Sequence, residues 1–126
     1  MRRPMIDAAA RKAGYEKLRD DLLEIRTRIA DIEATADSPD GLISATVVGR
    51  GELAELYLDP RIYRATDSKA LAESIVDTIK DAVARSREDL FEITREYLPP
   101  NAKLANTDVH TDAFIHQLDK KIEGEQ

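Results

Sequence analysis

The stretch "SPDGLISATVVGRGELAELYLDPRIY", from Ser38 to Tyr63, marks a change from a helical to an extended sequence pattern. Two runs of strand-forming residues, 42–48 and 53–58, flank Gly49-Arg50-Gly51 and are typical of a β-hairpin. A Gly-x-Gly loop that binds phosphate is followed by a helix N-terminus, whereas a second strand follows this one. We therefore interpret the loop as a hairpin turn and not as a nucleotide site.

A two-residue type II′ turn, with Gly49 in a backbone conformation of positive φ, is preferred to a three-residue loop, which would scatter polar groups over both faces. In that register Val48 opposes Gly51. One face of the hairpin is then almost wholly apolar and consists of Ile43, Ala45, Val47, Ala54, Leu56 and Leu58. The opposite face mixes polar residues with Leu42, Val48, Leu53 and Tyr57.

The segment before the hairpin, residues 6–32, favours a helix, and Gly14 is its one internal weak point. Its apolar residues recur at alternating steps of three and four, as in a coiled-coil seam: Tyr15, Leu18, Leu22, Ile25, Ile29 and Ile32. Such a stripe fits a helix that lies on its own sheet and, equally, a helix that packs across a dimer.

This seam and the second hairpin face carry more apolar surface than a small sheet and two helices need. We therefore expect an obligate homodimer. The expected interface consists of Tyr15, Leu18, Leu22, Ile25, Ile29, Leu53 and Tyr57.

The remaining elements follow from local signals. Residues 33–36 read as a short edge strand, and a second long helix begins near Asp67, an N-cap candidate. Pro99-Pro100 ends that helix, and Ser86-Arg87-Glu88 could divide it. A polar tail then leads to a short helix at 113–122. The predicted fold is α+β: a long helix, a small three-stranded antiparallel sheet, a long helix and a short C-terminal helix, with a domain at 1–100 and a tail at 101–126.

Composition excludes several classes of protein. The 126 residues contain no cysteine, so the chain has no disulfide framework, thiolate nucleophile or cysteine-based metal site. No window approaches the ~20 apolar residues of a membrane span. We expect a cytoplasmic protein without a membrane partner.

Charge is segregated along the chain. The net charge is −6, yet residues 1–30 hold eight basic against five acidic residues, a balance of +3. Residues 31–60 hold one basic against seven acidic residues, a balance of −6. The first helix is therefore basic and the following segment acidic.

Catalytic and metal-binding patterns are weak. His110, Asp112 and His116 form the one cluster of metal-ligand types, but six residues separate the histidines and put them on different faces of a helix. Asp59 and Asp67 are explained by a strand end and a helix cap. The sequence has no catalytic triad pattern, nucleophile elbow or phosphate loop. We expect no enzyme, no metal and no cofactor, which leaves a nucleic-acid-binding or a protein-interaction module.

An ordered set of residues then suggests a family. It comprises Gly41, Gly49 and Gly51 around a basic residue, Glu52-Leu53, Leu58-Asp59-Pro60, and Leu71, Ile75 and Ala82 of the following helix. Over residues 10–95 this set resembles the YbaB/EbfC family of bacterial nucleoid-associated proteins, and its Ser-Pro-Asp-Gly turn looks like the actinobacterial members. The resemblance implies an α-β-β-β-α core, a tight homodimer with projecting helical arms, and DNA binding at the nucleoid with little sequence preference. It implies no enzyme and no cofactor.

The DNA contacts of the family are attributed to basic residues of the helical arms. Local charge therefore nominates Arg11, Lys12, Arg19, Arg26 and Arg28, for which the alternative is a solvated helix face. The acidic net charge argues against DNA binding, and the alternative is a dimeric adaptor of the same fold that binds protein, which the resemblance to actinobacterial members links to a specialised secretion system. Its partner would bind the tail around residues 114–122.

Overall fold

The structure is a computed structural model that describes residues 4–64 and 67–124, with the side chains of 4–7 left out. It confirms the predicted α+β order of elements. These are α1 (Pro4–Ala30), β1 (Glu33–Asp37), β2 (Ile43–Val48), β3 (Glu52–Leu58), α2 (Ser68–Thr94) and α3 (Asp112–Gly124), with short 3₁₀ turns at Pro60–Arg64, Arg95–Tyr97 and Leu104–Asn106.

The chain folds into two compact units. One, the sheet unit, comprises Ile29–Phe91 and contains β1, β2, β3 and most of α2. The other, the terminal unit, combines Met1–Arg28 with Glu92–Gln126 and so joins most of α1 to α3. A domain boundary at residue 100 stays a prediction.

The sheet is antiparallel with the order β1-β2-β3, so β2 is central. Alternate residues of β1 and β2 are buried, as the period of two requires. Four of these buried residues, Ala34, Ala36, Ala45 and Val47, pack in one cluster with Ala82 of α2. Small side chains let the helix lie close to the sheet, and they place the core of this unit between α2 and the first two strands.

The hairpin confirms one part of the predicted turn and corrects another. Gly49 has φ +58°, and the Gly51 amide donates to the Val48 carbonyl at 3.1 Å, as a type II′ turn requires. The predicted pairing of Val48 with Gly51 is wrong, because Gly51, at φ +106°, is an extra loop residue and Val48 pairs with Glu52.

A second extra residue, Ala54, forms a bulge between the pairs Val47↔Leu53 and Thr46↔Glu55. Gly51 and Ala54 together shift the pairing by two residues, so beyond the bulge the side chains of β3 alternate between the two faces of the sheet as predicted. Leu56 and Leu58 therefore still share a face with the buried residues of β2, since they pair with Ala45 and Ile43. Leu53 moves to that face, opposite Val47, so its predicted face shared with Tyr57 is wrong.

The turn before β2 is held by side chains. The Ser38 hydroxyl donates to Asp40 Oδ1 at 2.6 Å and accepts from the Ile43 amide at 3.0 Å. Asp40 Oδ1 also accepts from the Leu42 amide. The hydrogen bond from Ser38, followed by that from Leu42, lowers the pKa of Asp40 below its ordinary value of 3.8. The turn thus satisfies the buried backbone at the start of β2.

The N-cap prediction for α2 is confirmed, because Asp67 Oδ1 accepts from the amides of Lys69 and Ala70 at 3.1 Å. The suggested break at residues 86–88 is wrong. Ser86 is buried, and its hydroxyl donates to the Val83 carbonyl of the same helix at 2.7 Å, so a polar residue fits inside an unbroken α2. Arg85 donates to the Thr35 carbonyl at 2.6 Å and ties α2 to β1.

Candidate nucleic-acid interface

Three of the five nominated cations form a line along α1. Lys12, Arg19 and Arg26 follow one another at seven-residue steps, and all three are exposed. Seven residues correspond to about 10.5 Å along a helix and to about 20° around it. The three positive charges therefore lie along one side of α1, and we call them the basic line.

The basic line is only weakly neutralised by carboxylates. Lys12 Nζ lies 3.9 Å from Glu16, with the lysine side chain 80% exposed, and Arg19 lies 3.0 Å from Asp20. Among residues 4–64 and 67–124, Arg26 has no ion pair. Exposed pairs contribute about 0–1 kcal/mol, so phosphate groups can displace these carboxylates.

The other two nominated cations lie elsewhere on α1. Arg11 is about 100° from Lys12 around the helix and lines a cleft with α3. Arg28 is about 200° from Arg26 and lies 3.7 Å from Glu96 of the terminal unit. The structure thus places Arg11 next to the basic line and Arg28 on the opposite side.

The predicted dimer residues of α1 divide by burial. Leu18, Ile25 and Ile29 are buried within the single chain, and Leu22 is half-buried. Tyr15 is 44% exposed. Most of the apolar stripe of α1 is therefore packed inside a single chain. The predicted dimer interface stays a prediction.

Strand β3 is one of the two edge strands of the sheet. Every residue from Glu52 to Tyr57 is exposed, including Leu53 (44%), Leu56 (38%) and Tyr57 (53%). Leu53 and Leu56 lie on the face that carries the core, and Tyr57, opposite Ser44, lies on the other face. An edge strand also leaves backbone donors and acceptors unpaired, so an apolar edge of this kind favours pairing with another chain.

The remaining nominated polar residues hold turns. The hydrogen bonds of Arg61 lower the pKa of Asp59, at the end of β3. The His110 amide donates to Asp108, in the loop that leads to Asp112. Within the described residues no three His, Cys, Asp or Glu side chains are grouped as metal ligands. No helix in the same part of the chain is long and apolar enough to cross a membrane.

Two features were not predicted from the sequence. Leu53 joins the face of Leu56 because of the bulge at Ala54, for which a bare sequence offers no signal. Lys120 and Lys121 lie beside α1, and their only signal was a pair of adjacent lysines in an amphipathic tail helix. In α3, Phe114, Ile115 and Ile122 are exposed, and a protein partner for the tail stays a prediction.

The fold and the basic line together define a small α+β protein with a cationic helix surface. The model of the YbaB/EbfC DNA-binding family matches residues 6–99, and the chain belongs to that family. This confirms the resemblance seen in the sequence. Helix α3 lies outside the matched residues.

Similar proteins include actinobacterial ones. A nucleoid-associated protein of Rhodococcus jostii is 29% identical over 82 residues, covering 65% of this chain and 73% of the relative. One of Streptomyces griseus is 32% identical over 88 residues, covering 70% of this chain and 74% of the relative. The crystal structure of an uncharacterised Helicobacter pylori protein matches 65% of this chain and 86% of its own, with TM-score 0.56 and 18% identity. That likeness concerns the fold alone.

Proposed function

We propose that this protein is a nucleoid-associated, non-enzymatic homodimer in the cytoplasm that binds duplex DNA with little sequence preference. The observation that carries the proposal is the basic line Lys12, Arg19 and Arg26, exposed along one side of α1 in a member of a DNA-binding family. The names of the actinobacterial relatives support the association with the nucleoid.

The chemistry of the basic line suits phosphate groups. Lysine and arginine side chains neutralise backbone phosphates, and such contacts position a protein on DNA without reading the bases. The expected affinity therefore depends on salt more than on DNA sequence.

The exposed edge of β3 supports the homodimer. Covering Leu53, Leu56 and Tyr57 with a second copy removes apolar area from water and pairs the open edge of the sheet. A two-fold arrangement uses the same surface of both copies. The dimer then carries two basic lines.

The acidity of the chain sets the conditions for binding. The net charge of −6 per chain gives −12 for a dimer, so the overall field repels DNA. Binding requires the basic lines to act locally, within about a Debye length of the phosphates. Helix α1 holds six basic against five acidic residues, and the basic line gathers three of the six positive charges on one side of the helix.

A mobility-shift assay on purified protein with duplexes of unrelated sequence tests the proposal. With about 4 to 6 phosphate contacts, the logarithm of the binding constant should fall against the logarithm of salt concentration with a slope of about −4 to −5. Duplexes of different sequence should bind alike. Absence of retardation at about 50 mM salt, or binding to one sequence alone, contradicts the proposal.

A further inference from the structure

The terminal unit contains a basic cleft between α1 and α3. Its volume is about 210 Å³, and its lining includes Arg11, Gly14 and Tyr15 of α1 with Lys120 and Lys121 of α3. The described residues that line it include three cations and no Asp or Glu. The cleft therefore concentrates positive charge in a chain whose net charge is negative.

Gly14 lets Lys121 lie against the backbone of α1. A Cβ atom at position 14 would stand 3.0 Å from Lys121 Nζ and 3.6 Å from its Cε. Lys121 is half-buried. In the described part of the chain neither Lys120 nor Lys121 forms an ion pair. A ligand can thus use both charges without displacing a carboxylate.

We propose that this cleft binds a phosphate group of the DNA backbone, so that α3 extends the DNA-binding surface of α1. The inference rests on the proposed function and adds residues that lie outside the family match. Arg11 lines the cleft and directly precedes Lys12, the first residue of the basic line. Around α1, Arg11 lies between the basic line and Gly14, about 100° from Lys12, so its side chain links the basic line to the cleft. Ammonium and guanidinium groups donate charge-assisted hydrogen bonds to phosphate oxygens.

The double variant Lys120→Ala, Lys121→Ala tests the proposal in the full-length protein. The matched control is Lys69→Ala, Lys103→Ala, which removes the same charge from two exposed lysines outside the cleft. With one phosphate contact per chain, the cleft variant should bind a random duplex with a salt slope shallower by about 2, at about 0.9 per contact and two chains. Because the two slopes differ by about 2, its affinity relative to that of the parent should fall further as the salt concentration is lowered. The control should keep the parent slope.

Lysine acetylation of the unaltered protein gives a second measurement that does not depend on the folding of a variant. Mass spectrometry should show slower acetylation of Lys120 and Lys121 when duplex DNA is bound, and an unchanged rate at Lys69. Equal rates with and without DNA, or a cleft variant with the parent slope, overturn this inference while the parent still binds DNA. A parent that binds no duplex overturns the proposed function itself.

Discussion

Replacing Tyr57 with serine tests whether β3 is the edge at which two copies join. A tyrosine buries about 150–250 Å² when fully covered, and Tyr57 is 53% exposed, so a partner can cover about 100 Å² more of it. At about 25 cal/mol per Å² this area is worth about 2.5 kcal/mol. A two-fold interface contains Tyr57 twice. The two tyrosines can therefore contribute at most about 5 kcal/mol to the free energy of dimerisation.

The measured free energy of association is smaller than the value calculated from buried area, because binding also restricts motion and desolvates polar groups. We therefore expect Tyr57→Ser to raise the dimer dissociation constant about a hundredfold to a thousandfold, at about 1.4 kcal/mol for each factor of ten. Sedimentation equilibrium over a dilution series measures this constant directly. Since the side chain is exposed in the single chain, far-UV circular dichroism should stay unchanged.

Tyr63→Ser is the matched control. Tyr63 is 84% exposed and lies in the 3₁₀ turn after β3, outside the proposed edge, so this variant should dimerise like the parent. Equal dissociation constants for Tyr57→Ser and the parent refute the assignment of the edge. A parent that sediments as a compact monomer at micromolar concentration refutes the dimer.

Three further predictions concern the stability of one chain. Gly49→Val should lower the free energy of unfolding by more than about 1 kcal/mol, because Gly49 has φ +58°; an unchanged urea midpoint would contradict this. Gly14→Ala should raise the free energy of unfolding by up to about 1 kcal/mol, because alanine favours the helix and only the amine end of Lys121 has to move. A lower melting temperature would contradict this placement of Lys121 beside Gly14. Asp40→Asn should make the free energy of unfolding less dependent on pH in the acid range. The pKa of Asp40 is lowered in the folded chain, so its stabilisation is present above about pH 3.8 and is lost as the pH falls through the lower folded pKa. Urea unfolding from about pH 5 to about pH 3 measures this, and parallel curves for variant and parent would exclude the effect.

Local signals in the sequence were sufficient for the order of elements. The N-cap Asp67 and the positive φ of Gly49 depend on side chains and backbone within a few residues, so a bare sequence predicts them. The surface that covers an apolar stripe, by contrast, lies far away in the sequence or in another chain. The spacing of Leu18, Ile25 and Ile29 is the same whether the same chain or a second chain covers it, and only the structure shows these residues buried within one chain.

Neither the register of the hairpin nor the basic cleft could be predicted from the sequence. A bulge at Ala54 changes pairing without changing the residue types, so the pattern of 52–58 fits several registers. Lys120 lies near Arg11 only because the terminal unit joins both ends of the chain. Local charge predicted the cations of α1, but the placement of Arg28 opposite Arg26 required the helix itself.

The central claim is that duplex DNA binds the basic line of α1. The most direct test compares Arg19→Ala, Arg26→Ala with the control Lys69→Ala, Lys103→Ala. Both variants remove two positive charges from exposed side chains, the second from positions outside α1 and the cleft. In a salt titration against a random duplex, the first variant should bind more weakly, with a slope shallower than that of the parent by about 3 to 4, and the second should keep the parent slope of about −4 to −5. Equal losses in the two variants, or a parent that retards no duplex at about 50 mM salt, would contradict the claim.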